Sequence, residues 1–543
     1  MKRLFYLVII SVFALGLNSC ATEATGVSGG DIVQKKVPLF LERDNDNLFQ
    51  ISFEIEREEA PLSLEALTVK LKKGSDYDVL SSLSAHYLLK EGDEDNDPEY
   101  QYFGETSTTG RSLKINGDYT LDAGEHTFIF NAKANSNVDL VNSFVIEKIE
   151  ATLSNGYYIV DNNDPYSYRP AKVLRAAGQD NCHTYRIPGL TTTSEGTLIA
   201  VYDNRYNNSK DLQEDIDVGM SRSTDGGQTW EPMKVIMDMG EWGGHPPRRN
   251  GIGDPAVLYD PNTNTLWAAA LWISGMSPDK MLWWHSQPGM SPEETGQFVL
   301  VKSTDDGKTW SDPINITDQI KDPEWQLMFM GPGRGITMDD GTIVFAAQFK
   351  EDIGEKAIDG GDYVSHSTIV YSKDGGETWE IGTGAKPNTT EAQVVQLDDG
   401  SLMLNMRDDI NRIEKGEGNG RAVAITNDMG KTWTTHPSSN SALREPNCMA
   451  SLLDHYTVID GEEQQVLLFS NPDSKTARVD MTIKVSIDGG HTWPKENQVL
   501  LNQNHGFGYS CMSMVDDNSV GIVYEGVREL YFQKVLIDEL LSQ

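Results

Sequence analysis

Residues 223–230 read Ser-Thr-Asp-Gly-Gly-Gln-Thr-Trp, and the pattern returns four times. The later copies are STDDGKTW at 303–310, SKDGGETW at 372–379, TNDMGKTW at 426–433 and SIDGGHTW at 486–493. Chance does not produce five copies of so long a pattern. Each is the chemistry of a hairpin. The third-position carboxylates (Asp225, Asp305, Asp374, Asp428 and Asp488) are placed to accept hydrogen bonds from turn N–H groups. The glycines that follow supply positive φ. The closing tryptophans, from Trp230 to Trp493, start the next strand and are sized to fill the gap between adjacent units. Repeats of this length, each a small antiparallel sheet, predict a β-propeller, and counting copies gives a lower limit of five blades.

Upstream the period changes to two. Phe49, Ile51, Phe53 and Ile55 alternate with polar residues, and so do Leu67, Val69 and Leu71. Further strands are predicted at 112–121, 126–134 and 143–153, with N-G at 116–117 and A-G-E at 123–125 as turn signals. Residues 36–160 are therefore expected to form a β-sandwich of jelly-roll or lectin-like type, flanked by linkers at 20–35 and 161–174. The fold class expected for the whole chain is all-β, with the propeller over 175–543. The acidic run 93–99 alternates carboxylates, but Pro98 stands where a calcium loop needs glycine, so it is read as a solvated loop.

The chain of 543 residues carries 45 Lys plus Arg against 82 Asp plus Glu, a net charge of -37. That balance excludes a nucleic-acid binder, which needs a basic face. An anionic small ligand must then be held by a local cationic cluster. Lys2 and Arg3 precede an apolar run from Leu4 to Leu17, too short to span a membrane comfortably, which ends in L-N-S-C. This resembles a bacterial lipoprotein signal: residues 1–19 removed, Cys20 lipidated, and an exported chain anchored at the periplasmic or cell-surface side. No later segment approaches a membrane span. The other cysteines, Cys182, Cys448 and Cys511, have neither zinc-ligand nor C-x-x-C spacing and are read as buried thiols.

Several motifs stand outside the repeat. Y185-R-I-P188 precedes the first box, Arg407 ends L-N-M-R and Arg478 lies in A-R-V-D-M. Guanidinium groups offer planar, bidentate donation to a carboxylate and stay charged. Asp211 follows Arg205 by six residues in a polar loop, Asp254 lies in G-I-G-D-P, Glu391 in T-T-E-A-Q, and Tyr509 in G-Y-S-C. Together these resemble the bacterial exo-α-sialidases of the retaining, tyrosine-nucleophile type, over about residues 175–543. The resemblance implies six blades, one lacking a recognisable box, and structural roles for the boxes.

It also implies roles for the other motifs. Arg186, Arg407 and Arg478 would bind the sialic acid carboxylate. Asp211 would be the acid/base, and Tyr509 the nucleophile with Glu391 as its base. Arg205 and Asp254 would contact the sugar near its 4-hydroxyl. Asp217 is read as structural. Tyr185 in place of the commoner Phe, and Met429 in the fourth box, are the departures.

The implied reaction is hydrolysis of terminal α-linked sialic acid from sialylated glycans, glycoproteins or glycolipids, without metal or cofactor. A phenol suits an anomeric carbon that bears its own carboxylate, because a carboxylate nucleophile would approach against that charge. With a pKa near 10 it needs a base. Trans-sialidase and intramolecular trans-sialidase chemistry share this set, and Trp272, Trp283, Trp284 and Trp325 are candidates for an acceptor site. A sialic-acid-binding lectin or adhesin is the alternative from another class.

Overall fold

The computed structural model describes residues 22–92, 97–107 and 109–541. The expected signal and Cys20 lie outside them, as do residues 93–96 of the acidic run. The chain is all-β and divides into two compact units.

Of the described residues, the first unit takes those from 22 to 34 together with those within 46–132 and 145–165. One sheet orders its strands Val27–Gln34, Asn45–Ile55, Gly124–Ala134, Leu80–Lys90 and Glu99–Thr106. The other orders Gly156–Asp161, Phe144–Leu153, Leu62–Leu71 and Ser112–Leu121. Phe49, Ile51, Phe53 and Ile55 are all buried, as their alternation requires, and Phe49 stacks on Phe130 at 4.5 Å.

Three expectations are corrected here. Residues 20–35 are not simply a linker, because Val27–Gln34 pairs antiparallel with Asn45–Ile55. Residues 35–45 and 133–144, expected in the first unit, group with the second. Asn116-Gly117 makes no turn: both residues lie inside the strand Ser112–Leu121. A Cβ at Gly117 would meet the Phe103 ring at 2.6 Å, so this glycine answers close packing.

Among the described residues the second unit contains six sheets of four or five strands, antiparallel except where Pro170–Arg175 pairs with Leu39–Phe40 and Ile252–Asp260 with Gly333–Arg334. Five follow in chain order and begin at Thr184–Thr192, Ile252–Asp260, Leu327–Met330, Thr389–Gln396 and Ser451–Ile459. The sixth joins Ser510–Asp516, Ser519–Glu525 and Leu530–Leu536 to Pro170–Arg175, which was expected in a linker. The register there pairs Lys172 with Phe532. Thr184–Thr192 packs on both Ile252–Asp260 and Ser510–Asp516; Thr389–Gln396 packs on Ser451–Ile459, which packs on Ser510–Asp516. Contacts between sheets thus run from the first to the last and back to the first.

The five boxes join the third and fourth strands of the first five sheets, and their chemistry is uniform. Asp225 Oδ1 accepts from Thr229 N at 2.9 Å and Oδ2 from the Thr229 hydroxyl at 2.6 Å, while Ser223 Oγ donates to Oδ1 at 2.9 Å. Asp488 repeats the set with Thr492 and Ser486. Hydrogen bonds from Thr309 and Thr378 hold the Asp305 and Asp374 carboxyls down at about 2. The two residues after each box carboxylate both have positive φ; the first is Gly in three boxes but Asp306 and Met429 in the other two, at 62° and 59°. Asp306 is held there by Thr193 Oγ1 at 2.7 Å and Thr197 Oγ1 at 2.8 Å, both in the turn that joins the first two strands of the preceding sheet. Box tryptophans do bridge sheets: Trp379 meets Trp267 at 5.9 Å, and Trp230 meets Phe532 at 5.3 Å.

Candidate active site

Three first strands break register at expected site residues. The shifts lie between Arg186 and Gly189, between Gly253 and Ala256, and between Thr389 and Ala392. A bulge re-aims a side chain, and each of these includes or flanks one of Arg186, Asp254 and Glu391. Ile187 and Asp254 sit at φ 56°, which is unusual for any non-glycine residue and most of all for a β-branched one. A proline follows each of them.

A cavity of ≈ 400 Å³ opens beside these bulges, lined by Asp211, Asp254, Glu391, Arg407 and Tyr509 among others. The Tyr509 hydroxyl donates to Glu391 Oε1 in a short hydrogen bond. Arg407 Nη1 reaches both partners, Glu391 Oε2 at 2.6 Å and the Tyr509 oxygen at 3.2 Å. Burial, and next the Glu391 charge, push the Tyr509 phenol well above its ordinary range, against the pull of Arg407 and Arg478. The proton therefore rests on the phenol. Three guanidiniums surround this tyrosine: besides Arg407, Arg186 and Arg478 lie 5.1 and 5.6 Å from its ring centre.

Arg186 donates from Nε to Glu525 Oε1 and from Nη1 to Asp211 Oδ1, both at 3.1 Å. Arg205 donates to the same Asp211 oxygen at 2.7 Å and is itself held by Asp203 Oδ2, at 3.0 Å from Nε and 2.8 Å from Nη2. Burial raises the Asp211 carboxyl, but Arg205 and Arg186 outweigh it and hold the group at about 2. Its side chain is nevertheless half-exposed at the cavity. Asp254 is the opposite case. It is half-buried, and desolvation, then the Asp203 and Asp211 charges, push its carboxyl well up. Its backbone N–H donates to Asp203 Oδ1 at 2.8 Å. All eight expected residues thus belong to one connected cluster, with Arg478 at its edge, donating to the Phe507 carbonyl at 2.6 Å. Asp217 lies elsewhere, accepting from the Tyr206 hydroxyl at 2.8 Å, and burial and Asp238 raise it to about 7.

Sequence reasoning missed three supporting residues. Glu525, side chain fully buried, also accepts from Ile187 N at 2.9 Å and Tyr509 N at 2.8 Å, so one carboxylate fixes two motifs. Asp203 holds Arg205 and the Asp254 backbone together. Asn447 accepts from Arg407 Nη2 at 2.9 Å. Of the four tryptophans named as acceptor-site candidates, Trp283 and Trp284 line the cavity. Trp272 is buried against Trp242, and Trp325 stacks on Phe349. Trp283 is fixed by its Nε1 donating to Asp359 at 2.9 Å and by the Lys350 ammonium 4.2 Å from its ring centre.

Comparison with known proteins points to a family. A family model described as a BNR repeat-like domain matches residues 196–523. The chain is 39% identical to a sialidase of Bacteroides fragilis, over 98% of this chain and 99% of that one. It is 30% identical to a sialidase of Micromonospora viridifaciens, over 66% of this chain and 53% of that one. Among solved structures, a Hadza microbial sialidase superposes with a TM-score of 0.80 at 39% identity, covering 94% of this chain and 99% of that one. The intramolecular trans-sialidase of Ruminococcus gnavus shares the fold at 18% identity, with a TM-score of 0.54 over 68% of this chain and 98% of that one. The chain belongs to the BNR-repeat sialidases, and is a glycoside hydrolase.

Proposed function

We propose that this sialidase is an exo-acting enzyme that releases terminal α-linked sialic acid from glycoproteins and glycolipids with net retention, through a covalent sialyl-tyrosine. The observation that carries this reading is the hydrogen bond from Tyr509 to Glu391 within reach of Arg407. It couples a phenol that keeps its proton to a base that can take it, as a tyrosine nucleophile requires. We read the six sheets as the blades of a propeller and the first unit as a β-sandwich. We also read residues 1–19 as a lipoprotein signal and Cys20 as the anchor of an exported chain.

In the free enzyme Asp211 is ionised and cannot donate a proton. The substrate carboxylate, seated among Arg186, Arg407 and Arg478, offsets the part of the charge holding Asp211 down that comes from Arg186 and Arg478, while Arg205 keeps its contact. Covering the half-exposed carboxyl raises it further, so binding itself arms the acid. Asp211 then protonates the glycosidic oxygen as its bond to the anomeric carbon breaks. The Tyr509 oxygen bonds that carbon, and its proton passes to Glu391. In the second half Asp211, now a carboxylate, takes a proton from water. The water oxygen displaces Tyr509, and Glu391 returns the phenolic proton. Arg205 and Asp254 orient the ring near its 4-hydroxyl.

NMR of the product at early times tests the stereochemistry. The α-anomer should appear first, and the β-anomer as first product would reject the double displacement. Trp283 and the half-exposed Trp284 on the cavity wall favour one further test, product analysis with and without lactose. Appearance of sialyllactose would move the reading from hydrolysis to transfer.

A further inference from the structure

Asn447 hydrogen-bonds to two of the three arginines. Its Oδ1 accepts from Arg407 Nη2 at 2.9 Å, and its backbone carbonyl accepts from Arg478 Nη2 at 3.4 Å. Its own amide is oriented from behind, with Nδ2 donating to the Asp408 carbonyl at 3.1 Å and to Asp409 Oδ1 at 3.2 Å. Two acceptors on one side of the amide leave the oxygen facing Arg407. The residue is 7% exposed and sits at φ 62°, a conformation that asparagine tolerates better than most residues with a side chain.

Arg407 is otherwise held at one end only. Its Nη1 serves Glu391 and Tyr509, and its Nε is buried without a partner. Without Asn447 the guanidinium would be free to turn its second amino group to Glu391 and close a bidentate pair. That turn would take a donor from the substrate carboxylate and compete with Tyr509 for its base.

We infer that Asn447 is a positioning residue that sets the plane of Arg407, and its spacing from Arg478, for a planar carboxylate ligand. The inference rests on the sialoside reading above. The informative variant is Asn447→Gly, which keeps the positive φ and the carbonyl to Arg478 and removes only the amide.

The probes are 2,3-didehydro-2-deoxy-N-acetylneuraminic acid and its C1 methyl ester, used as inhibitors of wild type and variant. Loss of one charge-assisted hydrogen bond behind the site should weaken the acid about tenfold and leave the ester unchanged, so the ratio of the two inhibition constants contracts by that factor. The kcat of a fluorogenic sialoside should fall as well, because Glu391 is diverted. An unchanged constant for the acid would overturn the inference. Equal weakening of acid and ester would also overturn it, since that marks a general loss of structure. Failure of the wild type to hydrolyse the sialoside would instead sink the functional reading beneath it.

Discussion

Replacing Glu525 with glutamine should cost both stability and turnover, although the residue faces no substrate. Its two oxygens accept three hydrogen bonds, from Arg186 Nε, Ile187 N and Tyr509 N, at 3.1, 2.9 and 2.8 Å. Glutamine offers one acceptor and one donor. Whichever way its amide turns, at least one buried N–H then faces another N–H, which costs about 1–3 kcal/mol. The ion pair with Arg186 is lost as well. A broken buried pair costs about 3–5 kcal/mol when the survivor is left alone, but Arg186 keeps Asp211, so the lower part of that range applies. The two costs overlap, and about 3 kcal/mol in all is expected. Calorimetry should show a fall in Tm of about 3–6 °C. Because the same carboxylate anchors the backbone of both Ile187 and Tyr509, kcat/KM should fall about a hundredfold, as small displacements of reacting groups do. A Tm within about 1 °C of wild type, with kcat/KM within about twofold, would refute this reasoning.

Other consequences follow from the same contacts. Asp211, at about 2 in the free enzyme and raised by substrate, should make kcat/KM fall with rising pH before kcat does; coincident limbs in the two profiles would contradict substrate-armed acid catalysis. Binding of a sialic acid analogue near neutral pH should take up protons, measurable by calorimetry in buffers of different ionisation enthalpy. Asp225→Ala removes three hydrogen bonds from the first box and should cost about 1–2 kcal/mol in urea unfolding while leaving kcat/KM nearly unchanged. A large loss of activity with normal stability would give that box a role beyond structure.

Much of this arrangement was legible in the chain because its signals are local. The boxes place Asp, Gly, Thr and Trp within eight residues, and each hydrogen bond spans only a few positions. The alternation around Phe49 and Ile55 is equally local. Arg186, Asp254 and Glu391 stand out because each belongs to a short motif that bends a strand. Glu525 carries no such mark: its partner Arg186 lies 339 positions away, and nothing in V-Y-E-G announces it. Asp203 and Asn447 escape for a related reason, since what they do depends on backbone geometry at distant bulges. Gly117 misled because a turn signal and a close-packing glycine are spelled alike. Pro170–Arg175 reads as a linker, although it pairs with a strand more than 350 residues later.

The central claim is that Tyr509, served by Glu391, attacks the anomeric carbon. The measurement is hydrolysis of a fluorogenic sialoside by residues 21–543 and by the same chain with Tyr509→Phe, with matched Tm values for the two. The account predicts release by the wild type and a loss of several orders of magnitude in the variant, since phenylalanine keeps the ring among its arginines and removes only the oxygen. Near-wild-type turnover by the variant would contradict it.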